Sequence, residues 1–441
     1  MTLVRSLFLL LSASAIGLLS CSITAPTATA PEVPDYYDPQ EDVRWEDHIY
    51  SPTVRTVQLF KKGFELSVPA IELGRGETLE LHFDDLSPDP ENLLWTIVHC
   101  DPHWQPSDLS QGQYLDGAFN DFIPQPIQSF NTRQPYLHYA VEVPNFLLKP
   151  RISGNYVLKV FRAGDETDLI LTRRFLVFES VVRIDAKVMA SRDVERRNTA
   201  QQVDITLRHP ELQVADPFGD LTMVVLQNMR WDDARAGARP KFVRGSELVY
   251  DFPPEALFDG GNEWRPLNAK STRFNAMGIA KITLDQELVE IFMIPDIKRN
   301  IRVYLDQPDL NGRYLTKTDD GYDAMLESDY VHVYWQLPMA APLNGDLFVY
   351  GAFTDFQCKT EYRMVYDAPN QRYYLRALVK QGFIDYQYAY LPPGATVPDL
   401  TAVEGTHFAT ENDYCVLVYF NDWTVRAQRL VGLHFLNTRR Q

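Results

Sequence analysis

The chain has 441 residues, 45% hydrophobic and 12% aromatic, which is enough for two to four packed domains and excludes a disordered polypeptide. Its 42 Lys and Arg stand against 59 Asp and Glu, a formal charge of −17 that excludes nucleic acid and anionic lipid surfaces as electrostatic partners. The 23 Tyr and 24 Phe favour strands.

In chain order, "MTLVRSLFLLLSASAIGLLS" places a single Arg5 ahead of the apolar run Leu7 to Leu19. This is short for a membrane span and predicts an export signal over residues 1–20. Leu18-Leu19-Ser20-Cys21 resembles a bacterial lipobox, which implies that the Cys21 thiol is acylated and that a lipid chain, rather than charge, holds the protein at a bilayer. Residues 21–42, rich in Pro, Thr and Ala, predict an extended tether. About 20 such residues at roughly 3.1 Å each reach about 60 Å.

From residue 43 the pattern changes to alternation. "LELHFDDL", "LLWTIVHC", "YLHYAVEVP", "GNYVLKVFR" and "LILTRRFLVFE" are runs of strand length separated by turn residues, and "RAGDETD" between the last two is a hairpin loop. They predict a β-sandwich over residues 43–179. A middle β-domain is expected over 180–327, carried by "VVRIDAKVMA", "QQVDITLRH" and "LTMVVLQN". A third sandwich is expected over 328–441, from "DYVHVYWQLP" to "CVLVYFNDWTVRAQRLVGLHFLN". The fold class is therefore all-β, tandem immunoglobulin-like sandwiches behind a lipoprotein signal and a flexible tether.

Chemistry is sparse. In "HCDPHW", His99 and His103 lie four apart, but Pro102 argues against the helix that would converge them on a metal, and no second Cys or His cluster supplies the remaining ligands. The segment reads as a strand-to-loop corner pinned by Trp104, with "PSDLS" starting a short helical turn. No nucleophile elbow, metalloprotease motif, P-loop or dinucleotide fingerprint occurs, so no catalytic residue, cofactor or metal is assigned. "DQPDLNGRY" offers Asp306, Asp309 and Asn311, a superficial calcium pattern without the further acids of an EF-hand loop, and reads as turn chemistry. Cys358 and Cys415 are available to pair or to act as buried thiols.

"VYGAFTDFQ" with "KQGFIDYQYAY", within residues 345–390, resembles the early-set immunoglobulin-like domains found with starch- and glycogen-active enzymes, with Phe356 where a tryptophan is usual. The longer run from Trp95 to Phe178, "HCDPHWQPSDLSQGQYLDG", "SFNTRQPYLHYAVEVPN", "SGNYVLKV" and "LTRRFLV", resembles the first domain of the type IX secretion system plug protein family of Bacteroidetes. The resemblance implies a periplasmic, non-enzymatic subunit that seals the large outer-membrane translocon β-barrel of that system. With the lipobox it implies an outer membrane protein, lipid-anchored on the periplasmic face. Trp104, Tyr114, Phe119, Phe122 and Phe130 are the candidate anchors for that barrel, with filling of the first core as the alternative role. A glycan-binding lipoprotein using the C-terminal module is the competing reading, and a buried Phe356 counts against it. A hydrolase would need a deep pocket with converging His and carboxylates.

Overall fold

A computed structural model describes residues 43–285 and 288–440. The expected signal, Cys21 and the tether lie outside the described residues. The described chain is nearly all β, as expected; its α-helices are single turns of four residues.

The first sandwich follows the sequence closely. One sheet orders His48–Ile49, Leu169–Phe178, Gly154–Arg162, Leu93–Cys100 and Asp121–Phe122, with Ala70–Glu72 running parallel on Leu169–Phe178. The facing sheet orders Val54–Lys61, Leu79–Asp85, Leu137–Val143 and Ile127–Gln128. Alternate residues of both meet inside: Leu79, Leu81 and Phe83 from one, Trp95, Ile97, Tyr156, Leu158 and Val160 from the other. "YVLKVF" breaks strict alternation because its strand is covered on both faces. Val157 points away from this core into a second one, where Cys100, Trp104 and Leu176 pack against Val224, Leu226, Cys415, Leu417, Tyr419 and Leu430 of the middle sandwich.

The middle sandwich departs from expectation. One of its sheets is built from Arg183–Ala190, Ala200–Arg208, Glu247–Tyr250, Phe242–Arg244 and Leu257–Asp259. Its other sheet pairs Leu221–Gln227 with Asp413–Asp422, which continues into Ala427–Asn437. The last two long strands of the chain thus return to the middle sandwich. The third sandwich is an insertion between Leu257–Asp259 and Asp413–Asp422 of the middle one, made of Arg265–Asn268, Gly382–Leu391, Tyr314–Thr316 and Asp346–Tyr350 facing Ile279–Asp285, Leu288–Met293, Tyr330–Pro338, Arg372–Lys380 and Val365–Asp367. The expected boundary at 327/328 falls inside a sheet, since Val289 to Phe292 pair in parallel with Val331 to Tyr334. Sequence proximity suggested three domains in a row; hydrogen bonding across the chain makes the third an insert.

The first and third sandwiches meet over a buried polar network. Asp84 accepts from Lys380 Nζ at 2.6 Å, from Tyr330 Oη at 2.7 Å and, on its other oxygen, pairs with His138 Nδ1 at 2.7 Å. Burial alone would raise the Asp84 carboxyl, but Lys380 and His138 outweigh it and hold it below its usual value. Cys100, Cys358 and Cys415 are free thiols, so the Cys358–Cys415 pair does not form.

Candidate partner-binding surface

Because the core is filled by alternation, the informative residues are large apolar side chains left outside it. The first sandwich concentrates several at one end. Leu115–Gly117 pairs antiparallel with Leu148–Pro150, Gly117 opposite Leu148. Gly117 takes φ +95°, and a Cβ there would lie 2.1 Å from the Leu147 carbonyl oxygen, so only glycine allows the approach. Ala118 N–H then donates to Leu147 O at 2.7 Å, Thr96 Oγ1 donates to Phe119 O at 2.6 Å, and Phe122 pairs with Leu94 at the sheet edge. On the facing segment Asn145 Oδ1 accepts from the Leu147 and Leu148 N–H groups, while Asn145 Nδ2 donates to Asp121 Oδ2 at 2.7 Å.

These ties fix the backbone and leave the side chains out. Phe119 is 50% exposed, Phe122 65%, Phe146 81% and Leu147 41%. Apolar side chains on a hydrogen-bonded scaffold lose little entropy when a partner covers them, which is the condition for a binding anchor. Phe130 is also exposed, but it stands apart in the loop after Ile127–Gln128, its N–H bonded to Leu326 O of the third sandwich.

Two expected anchors are corrected. Trp104 is buried, edge-on to Trp231 at 4.8 Å with the Arg174 guanidinium 4.5 Å over its ring. Tyr114 is buried beside His99 and Tyr156. Both side chains serve packing. Phe146 and Leu147 were missed; the available signal was "PNFLLKP", an apolar pair held in a turn between prolines, where no strand or helix explains it.

The "HCDPHW" corner is structural. His99 is buried with Nδ1 on Ser107 Oγ at 2.9 Å, and burial holds its imidazole down to about 4. His103 is exposed, so the two histidines do not share a site. Burial pushes the Cys100 thiol up to about 12, which removes it as a nucleophile. A cleft of about 390 Å³ between the sandwiches is lined by Arg173, Asp355 and Trp231, with Arg173 and Asp355 paired to each other at 3.3 Å. Phe356 is partly buried against Trp264 and Tyr350 rather than presented as a sugar platform.

The described residues thus form β-sandwiches, the first of which carries an exposed apolar edge. Residues 54–179 match the family described as Type 9 secretion system plug protein 1st domain, the segment that holds this edge. The resemblance read from Trp95 to Phe178 is borne out there, and the match points to a plug-related role in type IX secretion, in the bacterial cell envelope. The whole described fold is shared with a hypothetical protein from Parabacteroides merdae, whose crystal structure superposes with a TM-score of 0.86 at 27% identity, over 90% of this chain and 100% of that one. A DNA-bound alkylpurine DNA glycosylase from Pseudomonas fluorescens aligns at 10% identity over 28% of this chain and 30% of that one, with a TM-score of 0.17, which carries no argument. No curated protein matches the chain.

Proposed function

We propose that this protein is a periplasmic plug subunit, held to the outer membrane by an acylated Cys21, that binds the type IX translocon barrel and closes its opening when idle. The observation that carries the reading is the match of residues 54–179 to the plug first domain, with Phe119, Phe122, Phe146 and Leu147 exposed inside that same segment. A pore wide enough for folded cargo leaks small solutes unless stoppered. A stopper must be rigid and must bind by a surface already in place. Two features of the first sandwich suit those needs: its apolar edge is tied down by hydrogen bonds to its backbone, and its outer sheet packs on the middle sandwich.

The test is a pull-down of the full, C-terminally tagged chain from gently solubilised outer membranes of the native bacterium. The unaltered protein brings down the large barrel, and the Phe122→Asp/Phe146→Asp variant loses it while keeping its melting temperature. Failure of the unaltered protein to recover any barrel rejects the plug reading. Undiminished recovery by the variant rejects this edge as the contact.

A further inference from the structure

The insertion of the third sandwich forces the chain to cross between sandwiches twice, and an oxygen-rich cluster sits at that double crossing. Glu263 lies on the outgoing crossing, just before Arg265–Asn268, and Glu411 on the return, just before Asp413–Asp422. Asp309 comes from the loop that precedes Tyr314–Thr316. One carboxylate oxygen from each lies within 4.8 Å of the others.

Two further observations separate this cluster from a chance gathering of acids. Asn311 is 5% exposed; its amide nitrogen donates to Glu411 Oε1 at 3.3 Å, yet its carbonyl oxygen has no partner. Glu263 is 1% exposed; its Oε1 is engaged by Tyr304, by the Glu411 N–H at 3.1 Å and by Arg439 at 3.3 Å, while its Oε2 has none. Buried acceptors without donors are costly and rare in a native fold. Both oxygens belong to side chains already held at the cluster. The local charge is unbalanced as well, because Arg439 is divided between Glu263 and Asp306.

We propose that Glu263, Asp309, Glu411 and the Asn311 carbonyl bind a calcium ion that clamps the two crossings between the middle and third sandwiches. The donors are all oxygen, with no Cys or His among them, which selects a hard cation. Calcium–oxygen distances of about 2.3–2.6 Å put opposite donors about 4.6–5.2 Å apart, a span these carboxylates reach. Magnesium, at about 2.0–2.1 Å, needs a tighter cage. The ion supplies a partner to the two orphaned acceptors and offsets two of the three carboxylate charges. It ties Asp309 and Glu263 to Glu411 across segments distant in sequence.

The experiment uses the full chain, stripped with EDTA and titrated with Ca²⁺ or Mg²⁺ while thermal unfolding is followed. Terbium luminescence, sensitised by Trp264 whose N–H donates to Asp309, reports direct occupancy. Calcium is expected to raise the melting temperature by roughly 5 °C at saturation, with little response to Mg²⁺, and to displace terbium. Asp309→Asn abolishes both responses. Asn311→Ala keeps all three carboxylates, and weakens calcium by roughly tenfold. The proposal is overturned if about 10 mM Ca²⁺, above the weakest extracellular calcium sites, leaves the melting temperature unchanged. It is equally overturned if Asp309→Asn and Asn311→Ala respond as the unaltered protein does, since binding then lies elsewhere on the acidic surface.

Discussion

Asp84 and Lys380 show how a single pair joins two sandwiches. The ammonium is 2.6 Å from the carboxylate and neither group sees solvent. Removing one partner leaves a buried charge uncompensated. Lys380→Met is therefore expected to cost about 3–5 kcal/mol by denaturant titration, and Asp84→Asn/Lys380→Met less than that single change. A double variant as damaged as Lys380→Met would show that the charge pair is not what matters. His99 gives a pH signature. Its folded value of about 4 lies below the ordinary 6.5, so the unfolded chain takes up the proton first. Its contribution to stability is full above pH 6.5 and is lost as pH falls from 6.5 towards 4. The imidazole Cε1–H resonance should hold still from pH 7 to 5 and move only near 4; titration near 6.5 would place the ring in solvent. The residue scale is also where sequence reading was weakest. Trp104 and Phe122 both stood as exposed anchors, because composition cannot tell which side of a loop faces a neighbouring domain. Trp104 is claimed by Trp231, a residue far along the chain.

At the scale of elements, long strands were legible and short ones were not. Leu79–Asp85 declares itself by alternation and Leu93–Cys100 by its apolar length, and the hairpin around "RAGDETD" pairs Gly154–Arg162 with Leu169–Phe178 as read. Asp121–Phe122 is two residues long, too short for any period, yet it places Phe122 on the sheet edge. The pairing of Leu115–Gly117 with Leu148–Pro150 rests on close approach at Gly117. Gly117→Ala should cost about 1–3 kcal/mol and weaken capture of the barrel, since the carbonyl it displaces belongs to Leu147. Gly164→Ala, at φ +106° with open space around the position, is the control and should cost less. Equal costs would mean that backbone angle alone, not the approach to Leu147, sets the penalty.

For the whole molecule, the continuous apolar run in "CVLVYFND" correctly marked a strand but carried no information about its partner, which lies in the middle sandwich. The calcium-like spacing of "DQPDLN" was likewise invisible as a site, because Glu263 and Glu411 reach it only through the insertion. Fragments test the topology directly. Residues 263–404 hold both sheets of the third sandwich, and Arg265 closes their ends on Glu404 at 2.9 Å. That fragment is expected to unfold cooperatively in calorimetry. Residues 328–441 are not, because they separate Tyr330–Pro338 from Leu288–Met293 and Asp413–Asp422 from Leu221–Gln227. A folded 328–441 would refute the insertion.

The returning strands also set a timetable. A chain delivered from its N-terminus presents Leu221–Gln227 long before Asp413–Asp422 arrives to pair with it. At about 5–20 residues per second, that interval lasts on the order of ten seconds or more. Throughout it the middle sandwich is half built, and the edge of Leu221–Gln227 that pairs with Asp413–Asp422 stands open to any neighbour. The first sandwich, complete by Phe178, meanwhile lacks the part of its cover that Cys415, Leu417, Tyr419 and Leu430 supply. An open edge of that kind favours pairing between nascent chains, and the third sandwich must close while its host is still unfinished.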